Sequence, residues 1–386
     1  MSSYNDPTHT YMDITIANNK IDPVDTNPIQ IVFNCRRDGD YLTQPSDYYV
    51  SVVRWSLDCR LPIIVPQLVI GSTIQTDAIS QYFNTVYQIS ISLKFGATSV
   101  IFSVPIKFRA ETASAPPFTT ITNLSDTYDN SYFYVDSVQW FQGLVNEGFR
   151  ECWTGVKAAY AAAGGAPHFA DAPPQLVYNY DGTFNLLATT DFLSSQTIAT
   201  GIGEIYFNSS LNTLFNGFST YIQSLIDPNG LNYRLLFLDP TQATTLNNKN
   251  YVYSTTEYPV LPYWSPLSSI VFQSQGIPVE PTNTAPTTVV GGSIGALNNN
   301  ANLAPVITDF DINFVTGTEG RSIMYYAVQG EYRFFDLNTN RPLAELNIIA
   351  SWRDKIAGTL HPIYLFSGGG ASLKLLFRKK NFYSQV

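Results

Sequence analysis

The side chains able to do chemistry are few and scattered. The 386-residue chain has only 3 histidines, His9, His168 and His361, all far apart. A zinc site or a Ser-His-Asp relay would have to be gathered by the fold from distant segments, and a lone histidine such as His361, just ahead of Pro362, reads as structural. Asp309 and Asp311 stand two apart in ITDFDINF. On a strand that spacing puts both carboxylates on one face, where they could hold a cation or serve as the acid pair of a glycosidase; the alternative is a pair of solvent-side residues between the apolar Phe310 and Ile312. Gly201-Ile202-Gly203 and Gly368-Gly369-Gly370 lack the Lys or Asp partners of phosphate loops and read as turns. Cys35, Cys59 and Cys152 are an odd set without C-x-x-C spacing, which suits neither a disulfide framework nor a zinc site. Asn123-Leu124-Ser125 and Asn208-Ser209-Ser210 fit the glycosylation pattern, but MSSYNDPTHTYMDI lacks the charged-then-apolar layout of a secretion signal. The expectation is a chain that is not an enzyme, with no catalytic residue, no cofactor and no metal site.

What replaces chemistry is a surface suited to association. The chain is 45% hydrophobic and 14% aromatic, with 25 Tyr and 24 Phe, but only 13% charged, where soluble chains average about 25% charged. Asn, Ser, Thr, Gln and Tyr must therefore cover the exterior. Charged residues are depleted and Tyr and Phe enriched in the cores of interfaces, so such a surface fits burial against neighbouring copies, or else a surface-exposed β protein with the same composition. A net charge of −9 argues against direct binding of nucleic acid, which needs a basic footprint. The one basic cluster, Arg378, Lys379 and Lys380, either meets a neighbour's acidic face or caps the last strand with solvated charge. No run approaches the apolar length of a membrane span. Sparse thiols and the absent signal layout predict a soluble protein made in a reducing compartment.

Residues 1–10 bury little and read as an arm. Strands then follow at YMDITIAN, IQIVFNC (29–35) and DYYVSVVRWSLDC (47–59). In the last, strict alternation puts Tyr49, Ser51, Val53, Trp55 and Leu57 on one face and Tyr48, Val50, Val52, Arg54 and Ser56 on the other. Pro62 and Pro66 stop it. YQISISLKFGATSVIFSVPIKF (87–108) is a hairpin about Gly96-Ala97-Thr98, with Ile89, Ile91 and Leu93 on one face. The polar stretch with Pro116-Pro117 reads as a domain crossing. A helix is expected from an Asp136 or Ser137 cap, its stripe formed by Val138, Phe141, Val145, Phe149, Cys152 and Val156, ending by Gly164-Gly165. Two short strands are expected about Asp181-Gly182, and a second helix behind Asn208 or Ser209, with Leu211, Leu214, Phe215, Phe218 and Ile222 on one face. YRLLFLD and YVYSTTEY add strands, and the β pattern resumes at SSIVFQSQGIPV. The Gly- and Asn-rich 282–305 is expected to be a long exposed loop. The reading is mainly β: a single jelly-roll β-sandwich formed by 11–110 and 266–386, carrying a mixed α/β insertion domain at 111–265.

The succession SSIVFQSQGIPVE, VITDFDI, QGEYRFFDLNTNRPLAELNIIASWRD and GGASLKLLFRKK, with APPQLVYNYDGTFNLLA, IYFNSSLNTLFNGF and DYYVSVVRWSLDCRLPIIVPQ earlier, resembles the penton, or minor capsid, proteins of virophages and of polinton-like and adintovirus-type viruses. The resemblance implies a jelly roll with an inserted outer domain, five copies of which close an icosahedral vertex beside capsomers of a major capsid protein. It implies self-association as a homopentamer, residence in the virion after assembly inside the host cell, and no catalytic residues. The insertion domain is then the part that would meet a vertex fibre or host receptor. The alternative is a virion spike or attachment protein whose insertion binds a host glycan or receptor through aromatics such as Trp140, Trp153 or Trp264, although the first two also suit helix packing. A glycan-acting enzyme using Asp309 and Asp311 is the remaining reading.

Overall fold

The computed structural model describes residues 8–19, 29–77, 81–111, 116–128, 130–165, 168–179, 181–227, 229–246, 248–274, 276–279, 282–284, 302–304, 306–311, 323–327, 333–355 and 358–380. Contacts divide the chain into two compact units, one gathering Met1–Leu61, Pro266–Asn313 and Arg321–Val386, the other centred on Pro62–Ser265.

The first unit is built from two antiparallel sheets. In one, Gly370–Lys379 lies between His9–Ala17 and Tyr48–Asp58, whose far edge pairs with Ile323–Ala327 and Phe335–Asp336. In the other, Leu267–Ser274 lies between Val306–Asp311 and Glu345–Asp354, which pairs in turn with Leu360–Pro362 and Val32–Arg36. Their apolar faces meet at Trp55, whose ring centroid is 5.9 Å from Phe272 and 5.7 Å from Phe310 of the other sheet. The strict alternation expected of the Trp55 strand does not hold. Lys374 pairs with Arg54 but Leu375 with Val52, so Val53 is an extra residue. Such a bulge reverses the sense of alternation, and Tyr48, Val50 and Val52 share the buried side with Trp55 and Leu57.

The second unit holds a six-stranded and a four-stranded sheet. The first runs Thr220–Ile222, Tyr233–Leu235, Ile202–Phe207, Gln81–Phe95, and Gln81–Phe95 also pairs with Thr98–Phe108 and with Gln75–Thr76. The second runs Ala243–Leu246, Lys249–Thr255, Phe184–Ala188, Gln175–Tyr178. The hairpin turns through Gly96, whose φ of 59° suits the first central position of a two-residue turn, since Phe95 pairs directly with Thr98. Against the hairpin lies the helix Val138–Ala162, opened by Ser137, whose hydroxyl accepts from the Trp140 amide at 3.2 Å. All six stripe residues expected of it are buried. Gly155 is needed there: a Cβ would stand 2.2 Å from the Phe102 ring. One apolar core joins helix and sheets through Ile89, Ile91, Phe141, Phe149, Phe184, Phe207, Phe215 and Trp264.

Several boundaries differ from those expected. The division falls at Leu61/Pro62 instead of 110/111, because Ile89, Ile91 and Leu93 seat the long helix and their strand pairs with Ile202–Phe207. The crossing read at Pro116-Pro117 is a return within that unit, where Ile74 donates to Thr119 O and Ile121 to Ser72 O. The second helix is only Ser209–Leu214, capped by Asn208. It stops because Gly217 runs close to Thr256 and bonds Glu257 through its carbonyl, and Ile222 then belongs to a strand. The turn at Gly182 spans Asn179 to Thr183, longer than a two-residue loop. His9 and Thr10 already pair with Arg378 and Phe377, whereas 1–7 of the expected arm lie outside the described residues. Of the expected 282–305 loop, Thr282–Thr284 and Asn302–Ala304 pair as a ladder and the rest lies outside the described residues.

Trp55 is 4% exposed, and its indole nitrogen has no hydrogen-bond partner among the described residues. Chemical denaturation should therefore show Trp55→Ala losing about 3–5 kcal/mol and Trp55→Phe losing much less, since the ring contacts matter and the N–H does not.

Candidate functional site

The residues singled out for chemistry are placed by the fold in structural roles. Asp309 and Asp311 do share a strand, but Asp309 sits between the guanidinium groups of Arg333 and Arg353, at 3.7 and 3.8 Å, while Asp311 is exposed beside Ser269. His361 is buried, stacked on Trp352 at 4.2 Å, with its Nε2 3.0 Å from Asp354 and 2.9 Å from the Thr359 hydroxyl. Asp354 also accepts from the Gly358 and Thr359 amides and from the Thr359 hydroxyl, so the cluster ties Gly358 and Thr359 to the strand that ends at Asp354. His168 stacks on Phe95 at 4.1 Å and bonds Thr200 O, and His9 is exposed. Cys35 bonds the Tyr41 hydroxyl at 3.0 Å, and Cys152 donates to Phe102 O at 3.1 Å. Burial pushes the Cys152 thiol up to about 12, and desolvation together with the Cys35 thiol does the same for Tyr41; a neutral buried thiol is no nucleophile.

The terminal basic cluster is engaged within the chain. Arg378 lies over the Phe334 ring, and Lys380 pairs with Asp336 at 2.7 Å while covering Tyr49. Trp153 and Trp264 are buried, and the Trp140 and Trp264 indoles donate to Arg109 O and Leu214 O, which leaves them as packing residues. Among the described residues no group of three or more His, Cys, Asp or Glu could hold a metal, and no helix is long and apolar enough to cross a membrane.

Three features were not legible as sites. Glu204, 6% exposed, receives Lys94 at 2.6 Å, Arg234 at 3.1 Å and the Tyr206 hydroxyl at 2.8 Å, tying three strands of the six-stranded sheet together. Burial would raise its carboxyl, but the bonds from Lys94 and Tyr206 and the charge of Arg234 outweigh that and hold it below the ordinary value. Because Lys94 lies 110 residues from Glu204 and Arg234 on a further strand, only the pairing register reveals them. Next, a groove of about 540 Å³ runs between the edge strand Thr98–Phe108 and the long helix, floored by Phe102 and lined by Lys107, Arg109, Glu147, Arg150 and Thr154. Finally, the exposed large apolar side chains include Tyr221, Ile222, Leu225 and Ile226, together in six residues of YIQSLIDPNG. An apolar pair directly ahead of the Asp-Pro-Asn-Gly turn signal was the clue in the sequence.

Asp309, Asp311 and the three histidines are thus placed apart from one another or in local contacts, and sheet surface is what the described residues offer. The profile of the family described as Sputnik minor capsid protein V18/19 matches residues 10–379. The chain belongs to that family. The V18/19 proteins are structural capsid proteins, not an enzyme class, and the chain is accordingly a virion capsid component. Two solved structures share the fold. A chain of the Sputnik virophage particle, determined by cryo-EM, is 22% identical with a TM-score of 0.72, the alignment covering 99% of this chain and 100% of that one. The mavirus penton protein is 17% identical with a TM-score of 0.61, covering 96% and 99%. No curated protein sequence matches the chain.

Because Glu204 is held below the ordinary value of 4.5, its contribution is complete above that pH and fades as the pH falls through and beneath it. Glu204→Gln should cost about 1–3 kcal/mol at pH 7, the partly exposed Lys94 and Arg234 being left without their partner. Denaturation curves of both proteins should converge as the pH is lowered into that range.

Proposed function

We propose that this V18/19 protein is a penton subunit, five copies of which close a ring at each icosahedral vertex beside capsomers of a major capsid protein. In this reading the two facing sheets of the first unit are a single jelly roll, and Pro62–Ser265 is a mixed α/β domain inserted between its strands. The observation that carries it is the family match over 10–379, joined by a fold in common with the mavirus penton protein.

The physical character of the chain supports the reading. A ring closes through two different patches that meet at every contact, and its strength comes from apolar area more than from surface ion pairs. A chain with 13% charged and 14% aromatic residues is suited to that. Its charge of −9 leaves neutralisation of the genome to other proteins. A chain with only 3 cysteines is compatible with assembly inside the host cell.

Light scattering followed by particle imaging of the purified protein tests the stoichiometry. Rings near five times the 42.9 kDa chain mass are expected. A stable trimer would contradict the penton assignment and favour a spike.

A further inference from the structure

The Leu225–Ile226 loop and the Phe102 groove are a complementary pair on one unit. Leu225 is 75% and Ile226 90% exposed, yet their backbone is well fixed. The Gln223 amide donates to Asn232 O at 2.9 Å, the Asn232 side chain to Ser224 O at 3.1 Å, and the Ser224 hydroxyl to Ile226 O at 2.9 Å. Beyond them Asp227 caps the turn through the Asn229 amide at 2.7 Å, and Asn229 O accepts from the Gln88 side chain at 2.9 Å. Two aliphatic side chains held in water on a hydrogen-bonded loop have no purpose in the isolated fold, since burying each would be favourable.

The groove is the reverse. Phe102, partly exposed, lies along the helix where Gly155 leaves room for it, and it belongs to an edge strand bonded on one side only. The loop cannot fill it within one chain. Asn229 anchors the loop on the face that carries Ser90 and Ser103, whereas Phe102, the residue before Ser103, points to the opposite face and the helix. Charge matches as well. At the rim Arg150 is 65% exposed and only 3.9 Å from Glu147, which Arg109 already holds at 3.0 Å. Directly after Ile226 comes Asp227, which forms no ion pair among the described residues.

The geometry points to a contact between copies, in which the Leu225–Ile226 loop of one chain seats over Phe102 in the groove of the next, with Asp227 facing the neighbour's Arg150. This is a heterologous contact, the kind that closes rings, and it rests on the vertex reading for the number of copies in the ring.

The test compares self-association of the full chain with that of Leu225→Asp combined with Ile226→Asp, and separately with Thr154→Trp, which fills the groove. All three positions are exposed, so unfolding midpoints should not move. Each variant should weaken association roughly a hundredfold. Ile226→Cys combined with Thr154→Cys should give disulfide-linked oligomers on mild oxidation that neither single variant gives. Variants that associate like the parent, a double-cysteine chain that does not cross-link, or a parent that stays monomeric at every concentration would each overturn the contact. A five-fold ring that survives in the variants would remove this contact and leave the penton reading standing. A trimer that the variants dissolve would keep the contact and remove the penton reading.

Discussion

Packing of Trp55 against Phe272 and Phe310 is the interaction on which the first unit depends. It joins the apolar faces of two sheets, and a single buried aromatic of this size contributes several kcal/mol of contact. That packing is possible only because Val53 is an extra residue in its strand. Without the bulge, Trp55 and Leu57 would lie on the side opposite Tyr48, Val50 and Val52, and no single register could bury both groups. The same strand pairs with Gly370–Lys379 on one side and with Ile323–Ala327 and Phe335–Asp336 on the other. Segments from the beginning and the end of the chain are therefore committed to each other before a role in a shell can arise.

In the second unit the equivalent constraint is the seat of the long helix. Ile89 and Ile106 approach Gly148, Phe102 covers Gly155, and Cys152 donates to Phe102 O at 3.1 Å. Glycine weakens a helix interior by about 1 kcal/mol relative to alanine, so these positions exchange intrinsic helix stability for close approach to the hairpin. The opposite face of that sheet is polar and is held by the Glu204 network and by Asn229. The unit thus has its apolar core on one side of the sheet and a hydrogen-bonded loop on the other.

Local pattern carried much of this into the sequence. The helix stripe from Val138 to Val156, the Ser137 cap and the Gly96 turn follow from periodicity and cap chemistry, and all are present. What was illegible depends on partners distant in the chain. The Val53 bulge is set by Lys374 and Leu375, the end of the short helix by Thr256 and Glu257 against Gly217, and the unit boundary by pairing of Gln81–Phe95 with Ile202–Phe207. Asp309 was readable as a carboxylate on a strand face, but its Arg333 and Arg353 neighbours were not. Membership of the V18/19 capsid family came from resemblance and from the profile match, not from any site chemistry.

A shell protein is finally judged in the shell. The most direct measurement is an icosahedral reconstruction of particles assembled from this chain together with its major capsid protein, compared with particles assembled without it. The account predicts additional density confined to the five-fold vertices, into which five copies of the two units fit. Vertices that look the same with and without the chain, or density for it within the capsomers of the major capsid protein, would contradict the account.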